Sequence, residues 1–393
     1  MDDMTVVIAG GARTAMGGMN GVFAGTSAVQ LGATAIAAAI ERSGLAASDI
    51  DEVIMGCVLP AGVRQGPARQ AAIAAGIPKS AGATTINKLC GSGMQAVILA
   101  HDQLKAGTNS VMVAGGMESM SGAPHLLLNA RQGIRLGHAE LKDHMFYDGL
   151  EDAYTGRAMG SFAQETANEK GLTREQMDAF AIQSLNRACK AIESGALKAE
   201  IVPVTVTSRK GETVVDVDEQ PLSARPEKIP HLKPAFAKDG TITAANSSSI
   251  SDGASALVLT TAGEALRRGL APVARILGHA RHSHEPGLFT TAPIGAMQKL
   301  FAKTGWSKDD VDLFEINEAF AMVTMLAIRE LGLEEARVNV HGGACAQGHP
   351  IGSSGSRIIV SLMYALRRHG KKRGVASLCI GGGEATAVAI ELI

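Results

Sequence analysis

The chain has 393 residues, with 37 Lys and Arg against 38 Asp and Glu, a formal net charge of -1. That balance excludes nucleic acid or an anionic membrane as the principal partner, and no apolar run approaches the length of a membrane span. Hydrophobic residues make up 46%, aromatics only 3%, and 46 glycines imply small-residue helix packing and many tight turns, the composition of an α/β protein of two or three domains.

The acidic start Met1-Asp2-Asp3-Met4 resembles neither a signal nor a transit peptide, and Glu391-Leu392-Ile393 is no peroxisomal address. Five cysteines without paired spacing, at 57, 90, 189, 345 and 379, read as free thiols in a reducing compartment, so a cytoplasmic protein is expected. Thr5 to Ala9 reads as a buried strand turned by Gly10-Gly11. A helix follows from about Ala28 to Arg42, and Asp49-Ile50-Asp51 leads into another strand. Ala83-Thr84-Thr85-Ile86 ends a strand, and Met94 to Lys105 has a helical composition with no breaker until Gly107. Between them, Asn87-Lys88-Leu89-Cys90-Gly91-Ser92-Gly93-Met94 places Cys90 on a tight strand-to-helix turn. Orphan N–H groups and the positive dipole end favour a thiolate there. Gly91 and Gly93 would keep the approach to the sulfur clear. On the turn alone, a nucleophile and a buried structural thiol stand level.

Ser110 to Ala114 is a third buried strand closed by Gly115-Gly116, and the strand–helix alternation implies a mainly parallel sheet covered by helices. Residues 121–249 are more polar and broken by Gly and Pro. They hold a helical region (Thr173 to Ser194), an extended stretch (Ile201 to Val217) with a hairpin-like Lys210-Gly211, and a Pro-punctuated loop (Gln220 to Phe236), and read as an insertion.

The first pattern then returns. Ile276 to Arg281 echoes Ile8 to Arg13, Gly305 stands 261 residues after Gly44 in matching segments, and His349 to Gly355 echoes Asn87 to Gly93 at a spacing of 262. Ser377 to Gly382 echoes Met112 to Gly116, which sets Cys379 in the place of Val113. Two like units pack about a pseudo-twofold axis, which would bring equivalent turns together. Cys90 then faces the counterpart Gly352, His349 takes the place of Asn87, and Asn317 that of Gly56. Cys, His, Cys and Asn therefore stand where core logic predicts apolar residues or glycine.

In this order, NKLCGSGM, AGGMESMS, INEAF, GHPIGSSG and LCIGGG resemble the thiolase family, in its acetyl-CoA acetyltransferase branch, over nearly the whole chain. The resemblance implies a five-layered αβαβα fold. Two βαβαβαββ halves (1–120 with 250–270, and 271–393) would carry an inserted loop domain (121–249) that holds coenzyme A and makes oligomer contacts. It implies a homo-oligomer, a dimer or dimer of dimers, using acyl-CoA as substrate with no permanently bound cofactor, no metal, no nucleic acid and no membrane. Carried over, Cys90 is the acyl-accepting nucleophile, His349 its base, and Cys379 the acid/base for the α-proton of the second acyl-CoA. Asn317, holding a water, would serve the enolate oxygen with His349, and the N–H groups of Cys90 and Gly381 the tetrahedral intermediate. Ser248 takes the family's coenzyme A serine position. Leu150, Met159, Ala235, Phe236, Ala244, Phe289, Ala319 and Phe320 fall at pantetheine- or acyl-lining places.

The chain departs from the family at Ala158, where short-chain members have histidine, at Pro221 to Arg225, at Cys345 and at Gln347, beside His349. Gly342, Gly343, Gly348 and Pro350 rule out a continuous helix that could set His341, Cys345 and His349 around zinc. Two other functions fit the same chain: a 3-oxoacyl-CoA thiolase for longer or functionalised chains, and a non-catalytic acyl-CoA or lipid-binding module on this fold. A binding module needs none of the Cys/His/Cys set.

Overall fold

A computed structural model describes residues 1–209 and 211–393; Lys210, named in the expected hairpin, lies outside the described residues. The first unit runs β1 (Val6–Thr14), α1 (Ala28–Ser43), β2 (Glu52–Gly56), α2 (Pro67–Ala74), β3 (Gly82–Ile86), α3 (Ser92–Lys105) and β4 (Val111–Ser119). The insertion contributes α4 (Met159–Glu169) and α5 (Arg174–Glu193), after which β5 (Ser251–Thr261) returns antiparallel between β1 and β4. The second unit runs β6 (Ala274–Ser283), α6 (Ala292–Thr304), β7 (Leu313–Ile316), α7 (Ala321–Leu331), α8 (Ser354–Arg368), β8 (Arg373–Ile380) and β9 (Glu384–Leu392).

Local signals explain the repeat. A Ser27/Gln30 capping box opens α1, and Gly44 closes it at φ 76°. Gly305 closes α6 in the corresponding place at φ 72°. The same β-bulge interrupts both leading strands, between Ile8 and Gly10 and between Ile276 and Gly278. Hydrogen bonding runs β7-β8-β9-β6-β1-β5-β4-β2-β3, and the halves join where β1 meets β6 at Val7–Arg275 and Ile8–Ala274. The counterpart of β3 in the second half is reduced to one bridge, Phe314–Val338.

Three hydrophobic clusters define the layers. α1 and α2 cover the first half, α3 and α8 lie between the halves, and α6 and α7 cover the second, which gives αβαβα. The inner helices touch at their N-termini: a Cβ on Gly93 would come within 2.7 Å of the Ser356 nitrogen. A Cβ on Gly91 would collide with Ile380. Gly93 is therefore set by close packing against the second elbow, and Gly91 by packing against the end of β8. This packing brings the thiol turn and the histidine turn together.

One sequence echo is corrected by register. Asp51 N–H donates to the Val111 carbonyl and Asp312 N–H to that of Arg373. Gly56 pairs with Gly116, and Ile316 with Ser377. Val113 thus matches Val375, and Cys379 stands in the place of Met117. The glycines misled because β4 continues through Gly115-Gly116 to Ser119, whereas β8 ends at Ile380, before its glycines.

Within the insertion, Val204–Ser208 pairs with Gly211–Val215, and His125–Leu127 with Leu141–Asp143. α4 and α5 pack through Ala163, Met177 and Phe180 into a cluster that includes Phe289, Phe320 and Cys379. No helix among the described residues is long and apolar enough to cross a membrane.

Candidate active site

The thiol turn is held open by its own side chains. Asn87 Oδ1 accepts from Leu89 N–H at 2.9 Å, and Ser92 Oγ accepts from Lys88 N–H at 2.8 Å and donates to the Leu89 carbonyl at 2.7 Å. These bonds hold Leu89 at φ 47°, a left-handed conformation that costs a bulky residue about 1–3 kcal/mol. Next to it, Cys90 lines a pocket. The sulfur is not a resting thiolate as the turn alone suggested: burial pushes its pKa up to about 11, against the pull of the Gly381 and Cys90 N–H groups that face it. Desolvation of a thiolate outweighs the helix N-terminus here. To act as a nucleophile, Cys90 would therefore need a base.

An imidazole, His349, lines the same pocket. It is buried at the second elbow, its N–H donating to Ser249 O and Ser251 Oγ, and its Nδ1 lies 2.5 Å from Ser354 Oγ. Ser354 Oγ itself donates to the Pro350 carbonyl at 3.0 Å, so it accepts from Nδ1–H and leaves Nε2 with a free lone pair. No described residue hydrogen-bonds Nε2, which faces the pocket. Burial, then the nearby Arg357 charge, push the imidazole pKa down to about 3, so it is an unprotonated base at neutral pH. Asn317 Nδ2 lies 3.5 Å from His349 Nδ1, while its Oδ1 accepts from Arg357 Nη2 at 3.1 Å. Cys379, at the end of β8, is buried, and burial followed by the neighbouring Cys90 hold its thiol well above the ordinary range.

Cys90, His349, Cys379 and Gly381 line one pocket of about 190 Å³ with Leu150, Met159, Ser248, Phe289, Ala319 and Phe320. Phe236 completes the wall; its ring and that of Phe289 each stand edge-on to Phe320 at 6.2 Å. Three expected residues lie outside this lining. Ala235 is exposed, its N–H tied to the Ile242 carbonyl, and Ala244 lines the adjoining groove of about 380 Å³ with Ser223, Arg225, Lys228 and Ser249. Asn317 stands behind His349, outside the pocket lining. The zinc trio weighed from the sequence does not converge: His341 Nε2 faces His369 Nε2 at 3.3 Å, and Cys345 Sγ faces the Glu318 carbonyl.

Two residues were not anticipated. Arg357 orients Asn317 and adds positive charge beside His349. Glu118, buried, accepts from the N–H groups of Val58, Leu59 and Gly352 and so braces the turn after His349. Glu118 stood inside AGGMESMS as a charged residue in an otherwise apolar strand, a signal that could have flagged it.

Comparison with known proteins agrees with this arrangement. The family model "Thiolase, N-terminal domain" matches residues 6–263, and "Thiolase, C-terminal domain" matches residues 270–392. The acetyl-CoA acetyltransferase of Escherichia coli (strain K12) is 48% identical over 387 residues, covering 98% of each chain. Acetyl-CoA acetyltransferase 2 of Arabidopsis thaliana is 47% identical over 391 residues, covering 99% of this chain and 97% of that one. The Bacillus anthracis acetyl-CoA acetyltransferase structure superposes with a TM-score of 0.97 at 40% identity, covering 99% of both chains. A thiolase from Ascaris suum in complex with coenzyme A gives 0.94 at 42%, covering 99% of this chain and 100% of that one. With both halves, both elbows and full-length matches in agreement, this chain belongs to the thiolase family.

Proposed function

We propose that the chain is an acetyl-CoA C-acetyltransferase. It joins two acetyl-CoA into acetoacetyl-CoA and coenzyme A, and runs the reverse thiolysis of 3-oxoacyl-CoA. What supports this is the convergence of two thiols and a neutral imidazole on one apolar pocket, in a family whose relatives carry that name. The Cys90 proton passes to His349 Nε2 as the sulfur attacks the thioester carbonyl, and the N–H groups of Cys90 and Gly381 receive the oxyanion. The C–S bond to coenzyme A breaks, and the leaving thiolate takes a proton from Cys379. The Cys379 thiolate then removes an α-proton from the second acetyl-CoA. Protonated His349, with a water held by Asn317, stabilises the enolate oxygen. The enolate carbon attacks the acetyl carbonyl, and Cys90 leaves and recovers its proton from His349. Coenzyme A enters and departs as substrate and product.

The insertion supplies most coenzyme A contacts in this scheme. Ser247, Ser248 and Ser249 line the pocket, and Ser249 also borders the adjoining groove, where Arg225 and Lys228 offer charge to phosphates. The hairpin loop between Leu127 and Leu141 mediates assembly of the homo-oligomer, because it presents Ile134, Leu136 and Leu141 to solvent, with Leu136 98% exposed. Ile134→Asp with Leu136→Asp is expected to lower the mass measured by light scattering while leaving a folded, active species. An unchanged mass would remove the loop from the interface.

Ala158 at the pocket wall widens the acyl range. A methyl stands where a histidine would contribute bulk and a hydrogen-bonding group, and each added methylene of substrate is worth at most about 0.8 kcal/mol of burial. Thiolysis of 3-oxovaleryl- and 3-oxohexanoyl-CoA is expected beside acetoacetyl-CoA, and Ala158→His should narrow that range. A profile confined to acetoacetyl-CoA in the unaltered protein would refute the role of Ala158. An inert protein toward all three would refute the activity itself.

A further inference from the structure

At the far end of α3, away from the thiol turn, His101 and Asp102 meet His279 of β6. Asp102 Oδ1 lies 3.0 Å from His101 Nδ1 and 2.9 Å from His279 Nε2. The two imidazoles stand edge to face with centroids 4.9 Å apart, and the three ligand-type atoms all lie within 4.8 Å of one another. The His101 and His279 side chains are only 14% and 10% exposed, whereas Asp102 is 48% exposed and borders a cleft of about 490 Å³. Preorganised nitrogens on the inner side and an open carboxylate on the outer side leave room for water to complete a coordination shell.

We propose that His101, Asp102 and His279 form a binding site for a zinc-class divalent cation that clips the N-terminal half to the C-terminal half. A tetrahedral ion with bonds of about 2.0–2.1 Å holds its ligand atoms about 3.3 Å apart, so small side-chain shifts suffice to close the triad on a metal. Two imidazoles and one carboxylate select zinc, cobalt or nickel over calcium or magnesium, which take oxygen shells. Lys105 Nζ, bonded to the Met4 carbonyl at 3.0 Å, and Lys303 Nζ, bonded to the His279 carbonyl at 3.2 Å, place positive charge nearby. They moderate the affinity, so the site loads and unloads. The metal has no part in the chemistry, because the cluster lies roughly 15 Å along α3 from the thiol turn, at about 1.5 Å per residue. It stabilises by binding the folded state, in which β6 and α3 are held together.

Co²⁺ titration of the full chain, with Cys90 carboxymethylated to keep it from taking the ion, tests this directly. One equivalent should bind with visible ligand-field absorption and no sulfur charge-transfer band, zinc should displace it, and Tm should rise by several degrees with metal. Asp102→Asn and His279→Gln should each weaken binding by at least about tenfold, with acetyl-CoA turnover in the unmodified thiol form unchanged. Lys303→Gln should tighten it severalfold and keeps the proposal testable if the other variants fail to fold. Equal binding by unaltered protein and His279→Gln, absorption carrying the sulfur signature alone, or no binding at millimolar Co²⁺ would overturn the site. Turnover of acyl-CoA is read separately, so failure here leaves the acyltransferase assignment standing.

Discussion

Cys90→Ala is expected to remove condensation and thiolysis by on the order of 10⁴–10⁶-fold, together with the single acetyl adduct that intact-mass analysis should find after mixing with acetyl-CoA. The size follows from the geometry. Cys90 is the thiol on the strained elbow, it faces the N–H groups of Gly381 and of its own backbone, and it shares the pocket with the unpartnered Nε2 of His349. Of the other four thiols, Cys379 shares this pocket but stands at the end of β8, not on the strained elbow, and Cys189 Sγ donates to the Pro221 carbonyl. Cys57 is buried against Glu118, and Cys345 lies against the Glu318 carbonyl outside this pocket. An adduct that survives in Cys90→Ala and maps to Cys345 would sink the assignment. The pH dependence sharpens the test. Because burial holds the Cys90 pKa up to about 11 and His349 down to about 3, the resting pair is thiol and neutral imidazole. Iodoacetamide should therefore alkylate Cys90 with a rate that climbs tenfold per pH unit from neutrality toward about pH 11. A rate already flat at pH 7 would mean a thiolate–imidazolium pair, with desolvation outweighed by mutual attraction.

Much of this was legible before any coordinates. The glycine-bounded turns around Cys90 and His349 and the spacing of the duplicate told which elements would meet, because strand-to-helix elbows are written locally in Gly, Ser and Asn. The bulges at Ile8–Gly10 and Ile276–Gly278 confirm that the echo between those segments is structural. What sequence could not carry was long-range register and electrostatics. The placement of Cys379 went astray by four residues because two glycine pairs looked equivalent while only one lies inside a strand. The thiolate expectation failed for a similar reason: a helix N-terminus is visible in sequence, but the desolvation that opposes it comes from layers far along the chain. Arg357 and Glu118 were missed because each acts through a partner, Asn317 or the Gly352 backbone, that is remote in sequence. Ala235 and Ala244 followed the family pattern; Ala235 is exposed, and Ala244 lines the adjoining groove beside Arg225 and Lys228.

Cys379→Ala should separate the two halves of the reaction, and that separation makes it the more informative loss. A positioned proton donor and acceptor contributes about 10²–10⁴ in rate, so condensation is expected to fall by that factor. Acetylation of Cys90 should nevertheless remain detectable, because attack on the thioester uses His349 and the oxyanion N–H groups, and coenzyme A is a thiol that leaves without strong assistance. Burial, followed by the neighbouring Cys90, raises the pKa of Cys379, which fits the role proposed for it. Its buried thiol is a reluctant acid, but once it has protonated the departing coenzyme A, the thiolate left in an apolar site is a strong base poised for a weakly acidic C–H. Cys379→Ala should therefore accumulate acetyl-Cys90 on mixing with acetyl-CoA, seen as a stable mass increment, while exchange of solvent deuterium into the acetyl-CoA methyl group disappears. If that exchange persists at the unaltered rate, the α-proton is taken by another group, and among the described residues that line the pocket His349 is the remaining candidate base.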